Sequence, residues 1–453
     1  MSTFEGLISE IEGISVDQFE GQNLESRVYF LSHCHSDHMM GINSDYLINH
    51  LHRNGYSIFT SEISSVILKN KYPRFIFLNL TEAHTILIPK SPKSGEKFIS
   101  VSLIPAGHCP GSVMFLFKTA DMATVLYTGD FRLNPKDVPK IKQLRGSNGE
   151  VLAIDKMYFD STFWSEAFPD FPSRHRSCNI ISDVIQEWIS KGKEYIVNIN
   201  LPAYYGSEFL YKDVADKLKM PIHVHEDVRG SYRQIAEMEG VFTGNPMETQ
   251  IHSCTAIKGC TMRQLTCRDS TGLKIRQIRP TAQRWAKMKE DSNIISEETA
   301  GFYVCYSSHS SSNELKGFIQ YLKPKAIEPC VVPNKQRGHK NLPDRSVQER
   351  FYESINSFCE DFLKVPCTIF DRHIDSTQKC AIRAELSRFE ESSLPLKTYN
   401  KGKIVYLDSD NLNEKRCVAK VKFYIYVRKI KTNQLNPFAK QNRNLRIFFT
   451  ANF

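Results

Sequence analysis

Leu31-Ser32-His33-Cys34-His35-Ser36-Asp37-His38 is the stretch from which the fold is read. Three imidazoles and one carboxylate fall within six residues, directly after the apolar run Val28-Tyr29-Phe30-Leu31. An apolar run of that length predicts a buried strand, and a strand ending in a tight loop can aim such side chains at one point. Imidazole suits zinc, and a carboxylate suits zinc or a harder cation. Four donors from so short a segment exceed what one tetrahedral ion accepts easily. The pattern therefore predicts two neighbouring metals, with His33 and His35 on one and Asp37 and His38 on the other. The alternative is a chance His-rich surface loop. Burying His and Asp without partners is costly, and exposed residues need no fixed spacing.

Working outward, the totals set limits. A chain of 453 residues predicts two or three domains, or one catalytic unit with a large insertion. No apolar run is long enough to span a bilayer, and Met1-Ser2-Thr3-Phe4-Glu5 lacks the basic and apolar regions of a signal peptide. Twelve cysteines at irregular spacing suggest reduced thiols or metal ligands rather than disulfides. The net charge of +9 is a property of the tail: Pro395 to Phe453 holds 13 Lys and Arg against 3 Asp and Glu, which leaves the remaining chain at −1. A basic tail can hold nucleic acid non-specifically or stay solvated and disordered.

Further strand-to-loop junctions carry candidate ligands. Val101-Ser102-Leu103-Ile104 runs into the Pro- and Gly-rich loop Pro105–Ser112, whose single imidazole is His108. Val113–Phe117 and Thr124–Tyr127 read as a hairpin or neighbouring strands, and the second ends in Thr128-Gly129-Asp130. Met157-Tyr158-Phe159 delivers Asp160 in the same way. From about Phe163 the pattern changes: Ile181, Val184, Ile185, Trp188 and Ile189 lie at helical spacing, Tyr195–Ile199 is a strand, and Phe209, Leu210, Val214 and Leu218 mark another helix. This alternation predicts a parallel α/β domain inserted into the first. Gly301–Tyr306 is strand-like and leads to His309. Leu315, Phe318, Ile319 and Leu322 form a helical face with Ser312 or Asn313 as N-cap. Beyond about Arg388 the pattern decays: Val418–Ile430 could make a short strand, but Asn, Lys and Gln dominate.

Assembled, His33, His35, His108 and Asp130 suit one metal, and Asp37, His38 and a shared Asp130 the other. Two metals about 3.5–4 Å apart can clamp a phosphodiester while one lowers the pKa of a bridging water to near 7. His309, oriented by Asp160, is the candidate acid for the leaving alkoxide. A separate cluster, His223, His252, Cys254 and Cys267, suits a closed structural zinc, with Cys260 competing for the fourth place. Its spacing is not that of a zinc finger, and ordinary buried thiols are the alternative.

The runs His33–His38, Pro105–Phe117 and Val125–Arg132, in that order, resemble the metallo-β-lactamase fold nucleases of the DNA cross-link repair group, which carry a β-CASP insertion. Met1–Gly6, Ile14–Phe19 and Cys305–Lys316 are similar to the hairpin-opening branch of that group, which acts in non-homologous end joining and V(D)J-type recombination. The resemblance covers roughly residues 1 to 335. It implies an α/β fold: a metallo-β-lactamase αββα sandwich over 1–160 and 301–388 with a β-CASP α/β insertion over 161–300; composition and pattern add a basic, poorly ordered tail over 389–453. It implies a phosphodiester hydrolase, a metal-dependent DNA endonuclease that opens hairpins and trims overhangs. The alternative is a 5′-exonuclease of the same family, acting in interstrand cross-link repair or telomere protection.

The family's zinc ligands match His33, His35, Asp37, His38, His108 and Asp130, and its β-CASP motifs match Asp160 and His309. Val331 stands where RNA-cleaving relatives carry His, so the second site is expected to bind metal more weakly and to accept Mg2+ or Mn2+. His223, His252, Cys254 and Cys267 match an extra zinc site of the hairpin-opening branch. Gly206-Ser207-Glu208 replaces the Gly-Lys-Glu of the exonucleases, which favours an endonuclease, and Arg174 is a candidate DNA-backbone contact. The resemblance further implies a nuclear monomer that binds DNA hairpins, overhangs and single/double-strand junctions. Its implied protein partners are the DNA-dependent protein kinase catalytic subunit and the end-joining ligase. The tail departs from the long Ser-rich tail of that branch, being short and rich in Lys and Asn. An RNA nuclease of the same fold, a small-molecule hydrolase and a non-catalytic scaffold are the rival readings. Val331 opposes the first, the large insertion the second and the full ligand set the third.

Overall fold

The computed structural model describes residues 2–363, apart from 81–82, 93, 202–204, 255–264, 266, 288–291, 299–300 and 334–344. The expected tail, the segment 418–430 and Cys260 lie outside the described residues. The chain opens with β1 (Ile14–Val16) and β2 (Val28–Phe30), continues through α1 (Asp45–Asn54), β3 (Ile58–Ser61) and α2 (Glu62–Lys71), and reaches β4 (Phe77–Leu80). These four strands form one parallel sheet in sequence order. Local chemistry sets the helix ends. Ser44 caps α1 by accepting from Leu47 N, and Gly55 closes it in the left-handed region at φ 67°.

A second sheet follows. β5 (Ala83–Ile88), β6 (Lys97–Pro105), β7 (Val113–Thr119) and β8 (Thr124–Tyr127) pair antiparallel in sequence order. β9 (Lys156–Phe159) then joins β8 in parallel. The first five residues of β7 are buried without alternation, because both faces of the sheet are covered. Its inner face meets the first sheet: Val16, Val28 and Phe30 pack with Val101, Phe115, Phe117, Val125 and Tyr127.

Next come α3 (Arg174–Ile189), β10 (Tyr195–Ile199), α4 (Glu208–Leu218), β11 (Ile222–His223), α5 (Glu226–Tyr232), β12 (Phe242–Thr243), β13 (Ile251–His252), β14 (Lys274–Thr281), β15 (Ile295–Glu298) and β16 (Gly301–Cys305). Their strands make a separate seven-stranded sheet in the order β12-β11-β13-β10-β14-β16-β15. It is parallel except for the edge strand β15. β16, expected to open the closing part of the first domain, pairs with β14 in this sheet. α3 and α4 share one core with α1 and α2, through Ile181, Ile185, Leu210 and Val214 against Leu47, Leu51, Ile67 and Leu68.

The chain then returns through α6 (Ser312–Leu322) to β17 (Ile327–Pro329), which adds to β9, and on to α7 (Arg345–Phe358). Leu315, Phe318, Ile319, Phe351, Ile355 and Phe358 cover Met114, Leu116, Leu126, Met157 and Phe159 on the outer face of the six-stranded sheet. The layers are helix, sheet, sheet, helix, which is the metallo-β-lactamase sandwich. The N-cap of α6 is Ser311 rather than Ser312 or Asn313: its side chain accepts from Glu314 N, and Glu314 answers with a full capping box. No helix among the described residues is long and apolar enough to cross a membrane.

Candidate metal centre

Each residue of the proposed centre stands just past the C-terminal end of a strand. His33, His35, Asp37 and His38 follow β2, His108 follows β6, Asp130 follows β8, Asp160 follows β9 and His309 follows β16. The loops are cross-tied by their backbones. Val113 N donates to Ser32 O at 3.1 Å, Arg132 N to Ala106 O at 3.0 Å and Ser310 N to Phe131 O at 3.0 Å. Gly129, at φ +53°, lets the chain before Asp130 pass Ser32, whose Oγ would lie 2.8 Å from an added Cβ.

His33, His35, His108 and Asp130 converge. His35 Nδ1 lies 3.1 Å from His33 Nε2 and 3.0 Å from His108 Nε2. Asp130 Oδ2 is 3.6 Å from Nε2 of both His33 and His108. Tetrahedral zinc with bonds of about 2.0–2.1 Å separates its nitrogen ligands by roughly 3.3 Å, so the donor spacing suits such an ion. Asp130 turns its other oxygen to His38, with Oδ1 3.2 Å from His38 Nε2. Asp37 Oδ2 lies 3.9 Å from the same nitrogen and accepts from Ser2 N at 2.8 Å. Asp130 is thus placed to serve two adjacent ions.

The outward nitrogens decide the tautomers. His35 Nε2 donates to Tyr205 O at 2.9 Å and His108 Nδ1 donates to Ser308 O at 3.0 Å, since a carbonyl only accepts. His38 Nδ1 donates to Asp17 Oδ2 at 2.8 Å. Ser32 Oγ gives its proton to Asp17 Oδ2, so the 2.9 Å contact with His33 leaves Nδ1 as donor. Each of the four imidazoles therefore carries a proton on its outward nitrogen and turns the other nitrogen inward. His38 Nε2 is buried and has no hydrogen-bond partner despite its closeness to Asp130. Buried lone pairs facing one another are unfavourable unless a cation lies between them, so this donor set fits metal. Burial, then His33, lowers His35 to about 3, and burial, then His309, holds His108 well below its ordinary value. Burial opposes the charged form of Asp130, but His38 and His309 outweigh it and hold the carboxyl well below its usual range.

Asp17 was missed from sequence. It lies near His33 and His38, yet its bonds place it behind them: it accepts from Ser32 N at 2.6 Å, from Tyr127 OH at 2.8 Å and from His38. Its only sequence signal is the Ile14–Phe19 run.

Asp160 and His309 meet as expected. His309 Nδ1 lies 2.8 Å from Asp160 Oδ2, and its Nε2 lies 3.9 Å from Asp130 Oδ2. Asp160 Oδ1 is held by Thr162 N and Oγ1 at 3.0 and 2.6 Å. Burial works against protonated His309, but Asp160 and Asp130 raise it to about 9. Val331 contributes backbone only, with its N and O both paired to Ser161 Oγ. Arg174 donates from Nη1 to Gly107 O at 2.6 Å and stacks on Phe209 at 4.8 Å.

The second cluster also assembles. His223 and His252 are register partners on β11 and β13. Cys267 Sγ lies 3.4 Å from both Cys254 Sγ and His252 Nδ1. His223 Nδ1 and His252 Nε2 are buried without hydrogen-bond partners. The Cys254 thiol, then His223 and His252, bring Cys267 down to about 3 despite burial. Two thiols and two imidazoles in this closed arrangement fit a structural zinc.

Residues 236–335 match the family described as DNA repair metallo-beta-lactamase. The chain is 35% identical to Protein artemis of Homo sapiens over 349 residues, which is 74% of this chain and 50% of that one. With Protein artemis of Danio rerio it shares 33% over 349 residues, 74% and 54% of the two chains. With DNA cross-link repair 1A protein of Homo sapiens it shares 27% over 359 residues, 75% and 31%. The chain spans about half the length of the artemis relatives it matches.

Proposed function

Since the chain belongs to the DNA repair metallo-β-lactamase family and is Artemis-like, we propose that it is a metal-dependent DNA endonuclease that opens hairpins and trims overhangs, acting in the nucleus in end joining. The convergence of four inward-facing imidazole nitrogens around Asp130 carries this reading. His33, His35, His108 and Asp130 would hold one ion, and Asp37, His38 and Asp130 the other. Bound there, the ions would supply Lewis-acid polarisation and an activated water.

The protein's own groups do the rest. Asp160 holds His309 with its Nε2 directed at the centre, and its carboxylate favours the protonated ring that an acid for the leaving alkoxide needs. The inserted segment, which the strand order extends to Cys305, would form one wall of a polymer groove. We assign Arg174, anchored on the loop that carries His108, to the DNA backbone. Ser207 in place of a lysine removes an anchor for a terminal phosphate and favours internal cutting.

The test is cleavage by the purified chain of a closed hairpin, a 5′ overhang, a blunt duplex and single-stranded RNA, each with and without magnesium. Internal cuts near the hairpin tip or overhang junction are expected. Stepwise release of mononucleotides from 5′-phosphorylated ends would instead establish the exonuclease alternative, and preference for RNA would overturn both. Asp37→Asn is expected to abolish cutting while DNA binding persists.

A further inference from the structure

His35 differs from the other three imidazoles in the origin of its outer partner. His33, His38 and His108 are held by Ser32, Asp17 and Ser308, which lie outside the segment 161–300. His35 is held from inside it, by the carbonyl of Tyr205. The next residue, Gly206, packs against the same ring: an added Cβ would sit 2.4 Å from His35 Nε2 and 2.7 Å from Cε1. Its φ of +108° is a second, independent barrier to any side chain. Its N–H donates to both oxygens of Glu208, at 2.9 and 3.0 Å. Glu208 is buried at the first turn of α4 and also accepts from Tyr232 OH of α5.

We propose that Tyr205, Gly206 and Glu208 form a positioning relay through which the insertion sets the tautomer of His35. Tyr205 O takes the Nε2 proton and so leaves Nδ1 free for metal. Glu208 fixes that carbonyl by holding the adjacent Gly206 N–H. Gly206 has no side chain, so the carbonyl and the ring can approach. This gives Gly206 and Glu208 a task that does not depend on a lysine between them. The inference rests on His35 being a metal ligand.

The experiment compares the whole chain with Gly206→Ala, Glu208→Gln, His35→Ala and, as a control on α5, Gly230→Ala, whose Cβ would meet nothing within 4 Å. Two quantities are read: zinc affinity by competition with a chelator, and the His35 tautomer from ring 15N shifts in the metal-free protein. Gly206→Ala is expected to weaken one zinc equivalent about 10–100-fold, the range for loss of an outer partner, and to lose the pure Nε2–H tautomer. Glu208→Gln, which keeps the shape and only one good acceptor oxygen, is expected to move both readouts in the same direction by less. Gly230→Ala should match wild type. If Gly206→Ala does not fold, Glu208→Gln decides alone. Wild-type affinity and tautomer in the folded relay variants, with zinc lost in His35→Ala, would overturn the relay only. Wild-type zinc binding by His35→Ala would overturn the metal-centre reading and the relay with it.

Discussion

At the scale of the residue, the tautomer of each imidazole is the quantity that matters. A neutral imidazole offers one lone pair, and an outer acceptor chooses which nitrogen carries it. Asp17→Asn replaces one of the oxygens shared by His38, Ser32 and Tyr127 with an N–H group that cannot accept. One metal equivalent is then expected to bind about 10–100-fold more weakly, as measured by zinc titration of metal-free protein; unchanged affinity would remove Asp17 from this role. His309→Ala is expected to slow cleavage by about 10²–10⁴-fold at unchanged metal content. A substrate with a sulfur leaving group, which needs no proton, should recover most of that loss. The clustering of the His and Asp side chains was legible because one short loop concentrates four of them in sequence. Asp17 was not, because an acidic residue after a short strand reads as a turn, and its partners lie 15, 21 and 110 residues away.

At the scale of the element, the fixed point is Arg132. It is almost wholly buried and joins three segments. Its Nε and Nη2 donate to Glu314 on α6, its Nη1 to Ser307 O at 3.0 Å and its Nη2 to Pro172 O at 3.0 Å. Arg132→Met leaves Glu314 without its partner and frees the loop that carries His309. Breaking a buried pair in this way costs about 3–5 kcal/mol, and here the low end is expected because Glu314 keeps some solvent. Urea denaturation measures it, and a second change, Glu314→Leu, should return part of the loss. Ser311→Ala removes only the cap of α6 and should cost about 1 kcal/mol. Periodicity made elements such as Tyr195–Ile199 readable to the residue. Sheet membership was not readable for Gly301–Cys305, because a buried strand looks the same in either sheet and long-range pairing alone assigns it. The cap was misplaced by one or two residues within a run of serines, where Glu314 is the deciding signal.

At the scale of the whole molecule, the two metal clusters are built on different sheets and should respond independently. Cys267→Ser is expected to lower zinc content by one equivalent and to lower the first thermal transition, since a structural ion contributes its binding energy to folding. The His/Asp centre should keep any metal it binds, as metal analysis and residual cleavage would show. Loss of all metal on that one change would mean the clusters are coupled. The order in which the centre's groups emerge during synthesis has a consequence of its own. Its candidate donors leave the ribosome from His33 to Asp130, and Tyr205 and the proposed acid His309 emerge much later. A growing chain therefore carries the whole proposed ligand set well before it carries the proposed acid. On the proposed reading, cutting waits for residue 309, and products that stop short of it also lack α6 and α7, which cover the outer face of the six-stranded sheet.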